Sequence, residues 1–198
     1  MVIDVDNFKS QPIQTGLPTI KVMGVGGGGG NVVNRMINDD IKGVQYLAAN
    51  TDQMVLNSSK ADVILPLGTK ITKGLGAGMK PEIGKMAAEE DIESIQSALE
   101  ATDMVFIAVG MGGGTGTGAA PVVAELAKEQ KILTVGVVTT PFRFEGSKRA
   151  RIAEEGIEEL KKHVDSLIVI SNDKLLEIAS AKTTMNEAFA IADDVLKD

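Results

Sequence analysis

Short apolar runs recur along this chain, separated by stretches too long for hairpin turns. They read TIKVMGV (19–25), VQYLAA (44–49), DVILPL (62–67), MVFIAV (104–109), ILTVGVVT (132–139) and SLIVIS (166–171). Their length and continuity predict buried strands apolar on both faces. Between most of them the apolar period changes to that of a helix, at about 29–39, 82–101, 119–130, 147–163, 173–180 and 185–197. Strands alternating with helices predict βαβ units. The expected fold class is α/β, a mostly parallel sheet with helices on both faces. Residues 1–18 hold no sustained period and include Pro12, Gly16 and Pro18, so a flexible N-terminal arm is expected there, followed by one domain over 19–198.

In such sheets ligands sit beyond the carboxyl ends of the strands. The loops at those ends are GVGGGGGN (24–31), NTD (50–52), a glycine-containing segment (68–84), GMGGGTGTG (110–118), TPFRFEGSKR (140–149) and NDK (172–174). Six glycines in the nine residues of 110–118 cost roughly 0.5–1 kcal/mol each relative to alanine, a cost that implies a need for bare backbone. A phosphate-bearing ligand is the expected need. Pro121 is expected in the first turn of the following helix, whose free amides and positive dipole end would face an anion.

Composition narrows the choice. A net charge of −7 argues against a broad nucleic-acid footprint, no cysteine is present for disulfides or thiolate metal sites, and no apolar stretch approaches the ~18 residues of a membrane span. The polar N-terminus shows no signal-peptide core, so a soluble cytoplasmic protein is expected. Aromatic residues are only 3% of the chain, which makes each one worth a question.

Gly24, Gly26 and Gly29 satisfy the dinucleotide pattern G-x-G-x-x-G, but the expected acidic residue after the second strand is replaced by Asn50, Thr51 and Asp52. A nicotinamide- or flavin-dependent oxidoreductase therefore remains an alternative that leaves the second glycine loop unexplained. No G-x-x-x-x-G-K-[ST] is present, so phosphates would be held chiefly by backbone amides. Ser147 is the expected N-cap of a helix whose first turn carries Lys148, Arg149 and Arg151, cations disfavoured there unless an anion binds. Lys148 and Arg151 are as well explained by solvation, whereas Arg149, four residues after Glu145, favours a ligand contact. On the last helix Asp193 stands one turn beyond Phe189, where a carboxylate would accept from guanine N1–H and its 2-amino group while the ring stacks on the base. His163 reads as a helix-end contact with the dipole. A nucleotide sensor without hydrolysis is a third class.

GMGGGTGTG closely resembles the signature of the tubulin/FtsZ superfamily, and the order of IKVMGVGGGGGN, AANTD, ITKGLGAG, PEIG, TTPFRFEGSKR, ISNDKLL and AFAIADDVL extends the resemblance from about residue 19 to the end. It implies a Rossmann-like GTPase domain that binds GTP or GDP, with Mg2+ accompanying GTP, in proteins that polymerise head to tail at the bacterial division ring. By the same resemblance Gly27, Gly28 and Asn31 would touch phosphate or sugar. Gly78 would lie near the γ-phosphate, and Gly112, Gly113, Gly114, Thr115, Gly116 and Thr117 would hold the α- and β-phosphates. Glu145 and Arg149 would hold ribose and phosphates, Asn172 the base, and Phe189 with Asp193 would stack on and read guanine. Residues 79–81 read MKP where the family often has a small residue and then Asn before the proline. The resemblance further implies an acidic loop, supplied by a neighbouring subunit for hydrolysis, and a second domain. The chain stops at Asp198 in mid-helix, which leads to the expectation of a truncated chain that lacks both, binds GTP and hydrolyses it poorly alone. Implied partners are a second copy of the chain and, through other regions, division-ring regulators and membrane tethers at mid-cell; nucleic acid and direct membrane insertion are not implied.

Overall fold

The computed structural model describes residues 16–178 and 184–197. Most of the expected N-terminal arm, part of the 173–180 segment and Asp198 lie outside the described residues.

In chain order the elements are β1 (Ile20–Val25), α1 (Gly26–Asn38), β2 (Gln45–Asn50), α2 (Gln53–Asn57), β3 (Val63–Pro66), α3 (Thr69–Thr72), α4 (Pro81–Glu90) and α5 (Ile92–Leu99). They continue with β4 (Met104–Gly110), α6 (Thr115–Glu129), β5 (Leu133–Thr140), a 3-10 turn (Arg143–Glu145), α7 (Ser147–Leu160), β6 (Ser166–Ser171), α8 (Asn172–Ile178) and α9 (Met185–Lys197). The six strands form one parallel sheet in the order β3-β2-β1-β4-β5-β6. Strand order reverses between β1 and β4, the switch point at which such sheets open a crevice.

Alternate residues of the central strands feed two cores. Met23 and Val25 of β1 join Val105, Ile107 and Val109 of β4 in the large core under α4 to α7, while Val22 packs with Val33 and Tyr46 on the α1 face. Leu196 of α9 is buried against Val32 of α1 and Ala108 of β4. The strand predictions hold to within a residue or two at each end.

Several helix expectations are corrected. Residues 82–101 form two helices broken at Asp91, whose carboxylate turns aside to accept the Gly68 amide at 2.6 Å. α1 and α6 begin earlier than expected, inside the glycine loops, because glycine residues themselves form the first turns. Pro121 is consequently the seventh residue of α6 and not in its first turn; it leaves the Thr117 carbonyl without its usual i+4 donor. Gly146, at φ +98°, caps α7, and Ser147 is its first residue with no side-chain cap bond. The short helices α2 and α3 carry too few residues for a period to show in the sequence. Asp52 starts α2 by accepting the amides of Met54 at 2.9 Å and Val55 at 3.2 Å.

Candidate nucleotide site

The first turns of α1 and α6 meet at the β1/β4 switch point, and close backbone approaches among β1, α1, β4, α4 and α6 explain many of the loop glycines. A Cβ on Gly26 would lie 2.8 Å from the Gly116 amide nitrogen, one on Gly24 would strike the Gly29 carbonyl at 2.3 Å, and one on Gly29 would strike the Ala108 carbonyl at 2.2 Å. In the second loop, a Cβ on Gly118 would lie 1.9 Å from the Pro81 carbonyl and one on Gly114 2.8 Å from the Lys80 nitrogen, while Gly84 of α4 faces the Gly114 carbonyl. These residues are bare so that α1, α4 and α6 can approach one another closely. Ligand contact is therefore not the general reason for the glycines. It remains for Gly27, Gly30 and Gly113, where added Cβ atoms would meet nothing within 4 Å, and for the backbone the others expose.

Beside these turns lies a cavity of about 240 Å3, lined by Gly28 and Asn31 of α1, Gly110, Met111, Thr139 and Pro141 from the ends of β4 and β5, and Glu145, Arg149, Asn172, Phe189, Ala192 and Asp193. Seven of the residues singled out from the sequence thus share one space although they come from four segments of the chain. Arg149 Nη1 donates to Glu145 Oε2 at 2.6 Å, and Glu145 Oε1 accepts the Phe142 amide at 2.8 Å. Among the described residues two buried side-chain polar atoms lack a partner, Arg149 Nε and Asn172 Oδ1. Lys148 is exposed, and Arg151 lies 3.8 Å from Glu155 with both side chains in solvent, which agrees with the solvated reading of these two cations.

At the other end of the cavity Phe189 stands edge-on to Phe142 at 5.1 Å and to Phe144 at 6.3 Å, and Phe142 and Phe144 stack at 4.9 Å. Phe142 is buried, whereas Phe144 is half-exposed. Burial pushes the Asp193 carboxyl up to about 6; the Arg35 guanidinium opposes that rise and the neighbouring Asp194 adds to it. A carboxyl so poised changes charge near neutrality, as groups in binding sites often do.

The remaining candidates, Gly27, Gly78 and residues 112–117, are not among the residues that line this cavity. Gly112, at φ +97°, donates its amide to Thr117 Oγ1 at 2.9 Å, so the Thr117 hydroxyl is committed to shaping the loop. Thr115 Oγ1 meets Thr51 Oγ1 at 2.6 Å, joining the β4 loop to the turn after β2. Gly78 has a positive φ of 57° and open space around it. Asn50 Oδ1 accepts the Thr51 amide, and Asp52 Oδ1 caps α2. Of the cavity residues not named individually from the sequence, Pro141 lies within the TPFRFEG loop and Thr139 directly before it, so the position of that loop was their signal. His163 lies 3.8 Å from Glu159, remote from the cavity.

A sequence profile described as Tubulin/FtsZ family, GTPase domain, matches residues 19–180. The cell division protein FtsZ of Buchnera aphidicola subsp. Schizaphis graminum is 59% identical over 178 residues, covering 90% of this chain and 46% of that protein. Among solved structures, an empty FtsZ dimer of M. jannaschii superposes with a TM-score of 0.90 at 48% identity, over 93% of this chain and 53% of that one. CetZ1 of Haloferax volcanii, solved as a GDP-bound monomer, superposes with a TM-score of 0.81 at 26% identity, over 90% and 58%. The chain thus spans about half the length of these relatives.

Proposed function

Because this chain belongs to the tubulin/FtsZ family and carries its GTPase domain, we propose that the cavity at the sheet rim binds GTP and GDP. The observation that carries the reading is the pair of buried, unpartnered atoms Arg149 Nε and Asn172 Oδ1, a donor and an acceptor on the wall of one cavity. Each costs on the order of 1–3 kcal/mol until something meets it. A nucleotide would meet both.

The chemistry of the walls orders the ligand along the cavity. Phosphates would belong near the amides of Gly27, Gly28, Gly113, Gly114, Thr115, Gly116 and Thr117, at the positive ends of α1 and α6, with Gly112, whose own amide donates to Thr117 Oγ1, shaping that turn. Asn31 and Gly78 flank that region in the assignment. Glu145 and Arg149 would hold ribose and phosphate, and Asn172, Phe189 and Asp193 the base. With its proton off, Asp193 offers acceptors to guanine N1–H and the 2-amino group, which adenine lacks.

Mg2+ would come with GTP, on its phosphates; among the described residues no group of three or more His, Asp or Glu side chains could hold a metal ion. Hydrolysis depends mainly on positioning and electrostatics, and this chain's share is to fix the phosphate chain. The acids that position water would come from a neighbouring subunit in a head-to-tail filament. The partner is then a second copy, with division-ring regulators and membrane tethers acting through other regions, and the place of action is the cytoplasm at mid-cell. No described helix is long and apolar enough to cross a membrane.

The test is the nucleotide that copurifies, followed by calorimetry of the stripped protein with GDP, ADP and NAD. GDP bound in preference to both is the expected result. Equal affinity for ADP and GDP, or a preference for NAD, overturns the reading.

A further inference from the structure

Asn31, Arg35 and Asp39 follow one another at helical one-turn spacing along α1, but only Asn31 reaches the cavity. The next two residues of the stripe engage α9 instead. Arg35 grips both carboxylate oxygens of Asp194, with Nη2 2.6 Å from Oδ2 and Nε donating to Oδ1. One turn further, Lys197 Nζ donates to Asp39 Oδ2 at 2.8 Å. The polarity of the two pairs is opposite: α1 presents a cation and then an anion, and α9 an anion and then a cation.

That alternation fixes register. Sliding α9 by one turn, about 5.4 Å, would bring Arg35 opposite Lys197 or Asp39 opposite Asp194, like charges in either case. The apolar contacts of α9, Leu196 with Val32 and Ala188 and Ala192 with Phe142, carry no charge, so the sign discrimination against a one-turn slip comes from the two ion pairs. Phe189 and Asp193 lie on this same helix, and a turn of slip would take both out of the cavity.

We propose that Arg35 and Asp39 are positioning residues for base recognition: by holding Asp194 and Lys197 they set the axial register of α9 and so place Phe189 and Asp193 against the base. This rests on the guanine-nucleotide reading of the cavity. Arg35 has a second effect, because its charge favours the ionised form of Asp193. The other charged groups facing Asp193 are its neighbour Asp194 and, across the cavity, Glu145 and Arg149.

The experiment compares GDP with inosine diphosphate, which lacks the 2-amino group, across pH 5–8 by calorimetry on the stripped protein. The variants are Arg35→Ala, Asp39→Lys, and an exchange of both pairs together, Arg35→Asp with Asp194→Arg and Asp39→Lys with Lys197→Asp, which reverses every charge and so keeps the alternation. The single variants should lose GDP affinity by roughly tenfold, as misplacement of a binding group commonly does, and their GDP-to-IDP affinity ratio should fall toward one. In Arg35→Ala the pH midpoint of GDP binding should also move upward. The exchange should restore the ratio, which a loss of folding could not explain, and melting curves of each variant identify any that has merely unfolded. Unchanged ratio and midpoint in Arg35→Ala, or no restoration by a folded exchange variant, overturns the proposal. Failure of the unmodified chain to prefer GDP to IDP or to ADP overturns instead the reading of the cavity on which it rests.

Discussion

Glu145 and Arg149 face each other across one turn at the start of α7, joined at 2.6 Å, with the Glu145 side chain buried and that of Arg149 about one-third exposed. A cation in the first turn of a helix is unfavourable by roughly 0.3–1 kcal/mol, and its carboxylate partner answers only part of its bonding capacity. Nε is left without an acceptor. Arg149→Ala should therefore weaken GDP binding by roughly 1.5–3 kcal/mol, the range for bonds to a charged group, and change the stability of the nucleotide-free protein by less than about 1 kcal/mol. Calorimetry and urea unfolding of the same preparation separate the two. A large stability loss with unchanged affinity would make the residue structural.

Asp193 titrates within the working range. Its carboxyl is raised to about 6 by burial, so a guanine held there as proposed would compete with a proton below that pH. GDP affinity should be level above pH 7 and fall by about tenfold between pH 7 and pH 5, with binding at pH 5 releasing a proton. In the free protein the sign is opposite to that of an ion-paired carboxylate. The folded-state value lies above the unfolded one, so the ionised group costs stability at neutral pH, and that cost is relieved as pH falls through 6 toward 4. Asp193→Ala should flatten the pH profile of binding, cost roughly 1–3 kcal/mol of GDP affinity, and leave ADP affinity unchanged.

The glycines divide into two sets with different expected phenotypes. Gly118→Ala drives a Cβ into the Pro81 carbonyl at 1.9 Å, and Gly84→Ala into the Gly114 carbonyl at 2.3 Å. Both should destabilise the free protein by several kcal/mol, as overpacking against rigid backbone does at its upper range. Gly113→Ala meets open space and should leave the free fold intact while reducing nucleotide affinity. Gly30→Ala, in the first turns of α1 and also facing open space, should raise the melting temperature through a gain of roughly 0.4–1 kcal/mol. Melting curves with and without GDP read both effects.

If the acids that position water belong to a neighbouring subunit, the 198-residue chain alone should bind GTP with little turnover and form no filaments. Added to an intact relative, it should inhibit assembly in proportion to its concentration by occupying a filament end. Phosphate release and light scattering measure this. Concentration-dependent turnover by the chain alone would show that the acids lie within residues 1–198.

The strands were legible because each is a continuous apolar run, as a buried parallel sheet demands; the order β3-β2-β1-β4-β5-β6 was not, since nothing in a strand's own residues names its neighbours. The positions of the glycine loops were legible as well, but not the division of labour within them. Gly118 and Gly113 are the same letter in the same motif, and only the approach of Pro81 to one of them separates packing from exposure. The Arg35–Asp194 pair joins residues 159 apart and left no local trace. Asp91 looked like an ordinary residue of a long helix, because the Gly68 amide that breaks the helix lies 23 positions away. Asp193 was found from its spacing to Phe189, whereas the burial that raises its titration toward neutrality needed the surrounding walls.

The seating of Gly114 and Gly118 against α4 bears on the speed of nucleotide exchange. If that turn receives phosphate, as proposed, its shape is set by close packing against the neighbouring helix and not by the ligand, so little ordering would be left to complete when a nucleotide arrives. Arrival is then set by diffusion into the cleft. On the proposed reading the lifetime of the bound state would fall to whatever holds the ligand's other end, the aromatic ring and carboxylate on α9, so substitutions there would alter departure far more than capture.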